Sequence, residues 1–250
     1  MVEEGVCVPV LLGRPARVQE KAKAMGVDLG GVEIVYAADL DEGRHDYADA
    51  LFQKRARKGL TLAEARWNLY KPIYYAASMV AAGDADAVVA GIEANYPEAL
   101  RPCLQVIGVE EGIKGVAGLH MVALPNRELL FFADTTVNIA PDDEGLAEIA
   151  LLSARFVREL GIEPRIAMLS FSNFGSARHP QSTKVERAVR LAQQRDPELI
   201  IDGEMQADTA VDRRLLADVY PFSHLRGTAN VLIFPNLGAA NSSYKLLDRL

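Results

Sequence analysis

The 250-residue chain is poor in the residue types that announce several large protein classes. Cysteine occurs only at Cys7 and Cys103, which gives no disulfide framework and no zinc-ligand spacing and fits a reducing compartment. There is no apolar run as long as a transmembrane span and no charged-then-apolar leader, so a cytoplasmic protein without a membrane partner is expected. The four histidines, His45, His120, His179 and His224, show no metal spacing and no identifiable Ser or Cys partner, and each reads as structural. The single tryptophan, Trp67, reads as partly buried packing. Neither G-x-G-x-x-G nor G-x-x-x-x-G-K-[ST] occurs, so the usual nucleotide folds are unsupported. Basic residues are outnumbered, and a net charge of −7 argues against nucleic acid as a principal partner.

What is present is ordinary globular composition, half apolar and about a quarter charged, arranged in alternating periods. "VCVPVLLG" (6–13), "VEIVYAA" (32–38) and "ADAVVAG" (85–91) read as strands, the last as a buried one. "RPARVQEKAKAMG" (14–26) reads as a helix closed by a C′ glycine, and "DYADALFQKRARKG" (46–59) as a helix with a basic end. Thr61 followed by Glu64 forms a capping box, and Pro72 breaks the helix that follows. "YPEALRPCLQVIG" (96–108) reads as a short helix despite its two prolines. Residues 115–138 read as a hairpin around "PNRE", and 142–161 as a strongly amphipathic helix with an acidic start. Strand "RIAMLS", helix "STKVERAVRLAQQ", strand "ELIIDG" (198–203), strand "NVLIFP" (230–235) and a last helical stretch, "ANSSYKLLDRL", complete the chain. The alternation predicts an α/β protein with largely parallel sheets. The change of style near residues 108–114 divides it into domains at 1–110 and 111–250. Both ends of the chain read as abrupt, so the first domain is expected to be incomplete at both chain ends and the chain part of something longer.

The chemistry-bearing segments lie at predicted strand ends. In "SFSNFGSARHP" (170–180), backbone N–H groups from Asn173 to Ala177, the hydroxyls of Ser170, Ser172 and Ser176, and Arg178 are placed to receive a phosphate or carboxylate at a helix's positive end. The alternative is a flexible loop before a helix capped by Ser182 or Thr183. In "DGEMQADTA" (202–210), Asp202, Glu204 and Asp208 could serve as acid and base or hold a metal, or form a solvated acidic loop with capping duties. In "FFADTTVN" (131–138), Asp134, Thr135, Thr136 and Asn138 face the same choice between ligand contact and turn chemistry. Arg55 in "KRARKG" and Arg101 in "LRP" suit bidentate phosphate binding, or a solvated basic surface.

Taken together, "LLGRPARV", "GDADAVVAG", "LRPCLQVIG", "FFADTTVN", "SFSNFGSARHPQSTKV", "DGEMQADTAV" and "GTANVLIFPNLGAANSSYKLLDRL" resemble the phosphate acetyl/butyryl transferase family in order and spacing across essentially the whole chain. "FFADTTVN", "SFSNFGS" and "DGEMQAD" are most similar to the phosphotransacetylase-like C-terminal domain of the large, hybrid NADP-dependent malic enzymes.

The resemblance implies two α/β domains flanking a cleft, an architecture shared with isocitrate and isopropylmalate dehydrogenases. It also implies a homodimer or higher homo-oligomer, acetyl-CoA or acetyl phosphate as ligand, and no metal or other cofactor within this chain. Arg55 and Arg101 are implied as phosphate-binding residues lining the cleft, with Ser172, Asn173, Gly175 and Ser176 beside them. Asp134, Asn138, Asp202 and Asp208 form a second tier. The family also places a serine–arginine pair and an aspartate beyond "ANSSYKLLDRL", so no catalytic residue is expected in this stretch. The malic-type likeness implies an acetyl-CoA-binding regulatory and oligomerisation module of an enzyme converting malate to pyruvate and CO2. NADP and a divalent metal would belong to a preceding malic domain. The alternative is an active phosphate acetyltransferase exchanging acetyl between coenzyme A and phosphate.

Overall fold

The computed structural model describes every residue except 1, 3, 38–41, 93, 127 and 250, together with the side chains of 42–45. His45, among the histidines read as structural, therefore lies outside the described side chains. The chain divides into two compact units, Met1–Glu111 and Gly112–Leu250. Both are α/β, and all strand pairings but one are parallel. Among the described residues no helix is long and apolar enough to cross a membrane.

The first unit contains β1 (Val10–Leu12), α1 (Pro15–Met25), β2 (Glu33–Val35), α2 (Glu42–Arg55), α3 (Leu62–Asn68), α4 (Pro72–Ala82) and α5 (Tyr96–Val106). β1 and β2 pair in parallel. Helix boundaries follow local chemistry. Gly26 closes α1 in the left-handed conformation, and Thr61 and Glu64 satisfy each other's orphan N–H groups at the start of α3. Pro72 does more than break a helix: it opens α4, where its missing N–H costs nothing. In α5, Pro97 likewise sits in the first turn, and Asn95 and Glu98 form a capping box. The helix tolerates Pro102 in its interior and buries it. Leu51, Ala65, Leu69, Tyr74, Ala77 and Val106 bring α2 to α5 into one core, and Val35, Ala37 and Tyr75 form a second beneath the strands.

Two expectations fail here. Residues 85–91 form no strand, and Val89 and Ile92 are fully exposed at 98% and 101%. An apolar run becomes a buried strand only if a neighbour accepts its backbone groups, and among the described residues β1 and β2 pair only with each other. Trp67 is 68% exposed rather than packed, and its ring lies 5.7 Å from that of Tyr70.

The second unit runs β3 (Leu119–Ala123), β4 (Leu129–Ala133), α6 (Asp143–Glu159), β5 (Arg165–Leu169), α7 (Pro180–Arg195), β6 (Ile200–Met205), α8 (Ala207–Val211), α9 (Arg213–Val219), β7 (Val231–Ile233) and α10 (Leu237–Leu247). The sheet order is β3-β4-β7-β5-β6, with β3 antiparallel to β4 and the rest parallel. β4, β5 and β7 are almost wholly buried, which explains their continuous apolar wording. One face packs Phe131, Ile166, Met168 and Ile233 against α6 and α7 through Leu146, Ala150, Val157, Val185 and Val189. The other packs Ala167, Leu169, Leu232 and Phe234 against Ala210, Leu216 and Ala240 of α8, α9 and α10. The sequence pattern gave no sign of α8 and α9, each too short to show a period.

Gly203, within β6, has φ +138, and a Cβ there would lie 2.6 Å from the Met168 carbonyl oxygen. Gly203→Ala is therefore expected to cost about 2–4 kcal/mol through backbone strain and overpacking, read as a lowered urea midpoint with an unchanged m-value.

Candidate functional site

In the first unit the structure gathers cations around one phenol. Arg55 ends α2 and Arg101 stands exposed on α5. Tyr74, buried on α4, donates its hydroxyl to Gln105 Oε1 at 2.6 Å. Burial pushes the Tyr74 pKa up, and the nearby positive charges of Arg101 and Arg55 pull it partly back. Lys71 Nζ lies 5.4 Å from the Tyr74 ring centroid. Arg55 and Arg101 thus share one neighbourhood, and among the described residues neither has a carboxylate or hydrogen-bond partner. By contrast Lys54, one residue before Arg55, is committed to the α5 terminus through the carbonyls of Val106 and Ile107 at 2.7 and 2.6 Å. Two guanidinium groups with no carboxylate partner among the described residues, both near enough to act on one phenol, suit a phosphate dianion.

In the second unit, the segment after β5 folds back onto β6. Ser170 N donates to Met205 O and Phe174 N to Glu204 O, each at 2.8 Å. Asn173 and Gln206 exchange hydrogen bonds of 2.7 and 2.9 Å. The centre of the turn is filled by Glu204, only 2% exposed, whose Oε1 accepts from Ser172 Oγ at 2.8 Å and Gly175 N at 2.7 Å. Asn173 N donates to Ser176 Oγ, Ser176 N to Asn173 O and Ala177 N to Ser172 Oγ. The backbone donors from Asn173 to Ala177, expected to await an external anion, are thus all engaged within the protein. Nor does the turn sit at the helix's positive end. α7 begins at Pro180, and its Gln181 N–H is taken by His179 Nδ1. Arg178 and Glu204 instead border a cavity of about 620 Å³ that also reaches Thr183 and Glu186.

The remaining acids are dispersed. Asp134 is 2% exposed and accepts from Gly118 N, Thr136 N and Val137 N through Oδ1, and from both nitrogens of Asn138 through Oδ2. Asn138 also donates to Val116 O, so this pair closes the loop after β4. Asp202 accepts from Gly203 N, Ser223 Oγ and His224 N, and so pins the loop after α9. Asp208 is exposed, and its carboxylate accepts from the N–H of Thr209. Among the described residues no three or more His, Cys, Asp or Glu side chains form a group that could hold a metal.

Reasoning from sequence missed two residues. Tyr74 carried no signal linking it to the arginines. Lys184 did carry one, as a cation one residue past the first turn of α7, toward the end where the helix dipole disfavours positive charge. Its ammonium donates to Pro141 O at 2.9 Å and Pro235 O at 3.0 Å, tying together the loops after β4 and β7. Burial lowers its pKa, while Asp142 and Asp143 push it back up.

With this geometry established, comparison with known proteins defines the class. A profile of the phosphate acetyl/butaryl transferase family matches residues 1–250, and the chain belongs to that family. It is similar to phosphate acetyltransferase of Bacillus subtilis strain 168, with 40% identity over 242 residues, covering 97% of this chain and 74% of the relative. It is similar, too, to the NADP-dependent malic enzyme of Escherichia coli K12, with 39% identity over 250 residues. That match covers 99% of this chain but only 33% of the malic enzyme, so the chain spans about a third of that relative's length. Among solved structures, a phosphotransacetylase from Streptococcus pyogenes superposes with TM-score 0.89 at 33% identity, covering 99% of this chain and 75% of that one. Both branches named by the resemblance are thus among the relatives, and the transferases match at least as well as the malic enzyme.

Two outcomes follow from the site geometry. Glu204→Ala strands two donors and is expected to cost about 2–4 kcal/mol in chemical denaturation, with Glu204→Gln intermediate. His120, on β3, has Nδ1 2.6 Å from Thr135 Oγ1 and its ring stacked on Tyr244 at 4.2 Å; burial lowers its pKa. The unfolded chain therefore binds this proton more readily, so stability is lost as pH falls through the unfolded value of about 6.5 and levels off below the folded value. Urea unfolding at two pH values should show a smaller acid loss in His120→Asn than in the parent chain.

Proposed function

We propose that this chain handles acyl exchange between coenzyme A and phosphate, with Arg55 and Arg101 gripping the phosphate. The observation that supports this reading is a pair of guanidinium groups near Tyr74, with no carboxylate partner among the described residues, in a chain matched by its family from end to end. In the exchange the coenzyme A sulfur attacks the acyl carbonyl of acetyl phosphate. The new C–S bond replaces the C–O bond to phosphate, and the thiol proton, taken up by a base, is returned to the departing oxygen so that phosphate leaves as its dianion. The arginines would hold the acyl phosphate in place and stabilise charge gathering on the departing oxygen. No residue of this chain is assigned as the base. In the second unit, Ser172, Asn173, Gly175 and Ser176 would act by shaping a rigid wall, with Arg178 as its outward-facing charge. A homodimer or higher homo-oligomer in the cytoplasm belongs to the same proposal.

A second reading rests on the likeness to a malic enzyme across 250 residues. In that case the chain is an acetyl-CoA-binding regulatory and oligomerisation module. It would bias a distant reaction only if acetyl-CoA binds two states with different affinity.

The test is to mix the chain with acetyl phosphate and coenzyme A and follow thioester formation by ultraviolet absorbance. Enzyme-dependent formation, reduced roughly 10²-fold by Arg55→Ala or Arg101→Ala, is the expected result. Acetyl-CoA binding by calorimetry with no thioester formation would favour the regulatory module. Turnover untouched by both substitutions would overturn the arginine assignment.

A further inference from the structure

A basic pocket lies within the second unit. A cavity of about 250 Å³ is walled by Arg213 and Leu216 of α9 and by Tyr220, Ser223, Arg226 and Gly227 of the loop that follows. Among the described residues neither Arg213 nor Arg226 has a carboxylate or hydrogen-bond partner. The acids nearest in sequence are otherwise occupied or lie outside the lining. Asp212 caps α9 by accepting from the N–H groups of Arg214 and Leu215, Asp202 is buried under Ser223 and His224, and Asp218 does not line the cavity.

The loop is built to hold this arrangement. Arg226 has φ +51, a left-handed conformation that costs a non-glycine residue about 1 kcal/mol or more and is kept only where the surroundings enforce it. Asp202 supplies that enforcement by gripping the loop through Ser223 Oγ at 2.8 Å and His224 N at 2.7 Å. Among the described residues the one other non-glycine with positive φ is Phe174, at +48. Its ring packs on Tyr220 at 5.1 Å and Phe222 at 5.0 Å. The pocket wall therefore abuts the turn that holds Glu204.

The geometry points to a binding site for a compact phosphate-bearing anion, gripped between the guanidinium groups of Arg213 and Arg226 against Tyr220. Two full positive charges without a compensating acid match a dianion better than a carboxylate. The volume exceeds that of one phosphate group and admits a pyrophosphate or a small phosphate ester. This site stands independently of the acyl-exchange reading, because it uses none of the same residues.

The experiment titrates the whole chain with inorganic pyrophosphate at constant ionic strength and follows backbone amide resonances. Saturable shifts at Tyr220, Arg226 and Gly227 are expected in the parent chain and in the Arg55→Ala/Arg101→Ala variant. They should weaken at least tenfold in Arg213→Ala/Arg226→Gly, where glycine keeps the left-handed backbone, and recover partly in Arg226→Lys. A spectrum with native dispersion confirms that each variant folds. Non-saturating shifts, shifts confined to other residues, or full affinity in Arg213→Ala/Arg226→Gly would overturn the site.

Discussion

The second unit is organised around the burial of one carboxylate. Glu204 lies at the end of β6 with 2% exposure, and an ionised carboxylate so placed costs several kcal/mol unless donors replace its water. Ser172 and Gly175 provide those donors, which fixes the segment after β5 over the end of β6. The reciprocal Asn173–Gln206 pair then locks the two strand ends in register. An anion does occupy this turn, and it is the protein's own.

The same division of labour extends through the unit. Asp134, just past the end of β4, and Asp202, within β6, are also buried acids, each accepting from donors of a loop it holds in place. Acidic groups here build structure. Among the charged groups with no carboxylate or hydrogen-bond partner among the described residues are Arg55 and Arg101 near Tyr74, Arg178 on its cavity, and Arg213 with Arg226.

Much of this was legible in the amino-acid order, for identifiable reasons. The Thr61–Glu64 box, the glycine closing α1 and the acidic start of α6 are local signals and appear where their chemistry places them. The α/β class followed from alternating periods, and Arg55 and Arg101 were singled out, though nothing local could reveal that Tyr74 joins them. The failures share a cause. Whether residues 85–91 pair, whether Trp67 is covered, and whether the donors of residues 173–177 stay free depend on groups distant in sequence. Glu204 is 29 residues from Gly175, and no periodicity spans that interval.

The most direct measurement is a crystal structure of the chain soaked with acetyl phosphate. The account predicts the phosphoryl group between Arg55 and Arg101 near Tyr74, with Glu204 still bonded to Ser172 and Gly175. A phosphoryl group lodged among the N–H groups of residues 173–177, with Glu204 displaced, would contradict it.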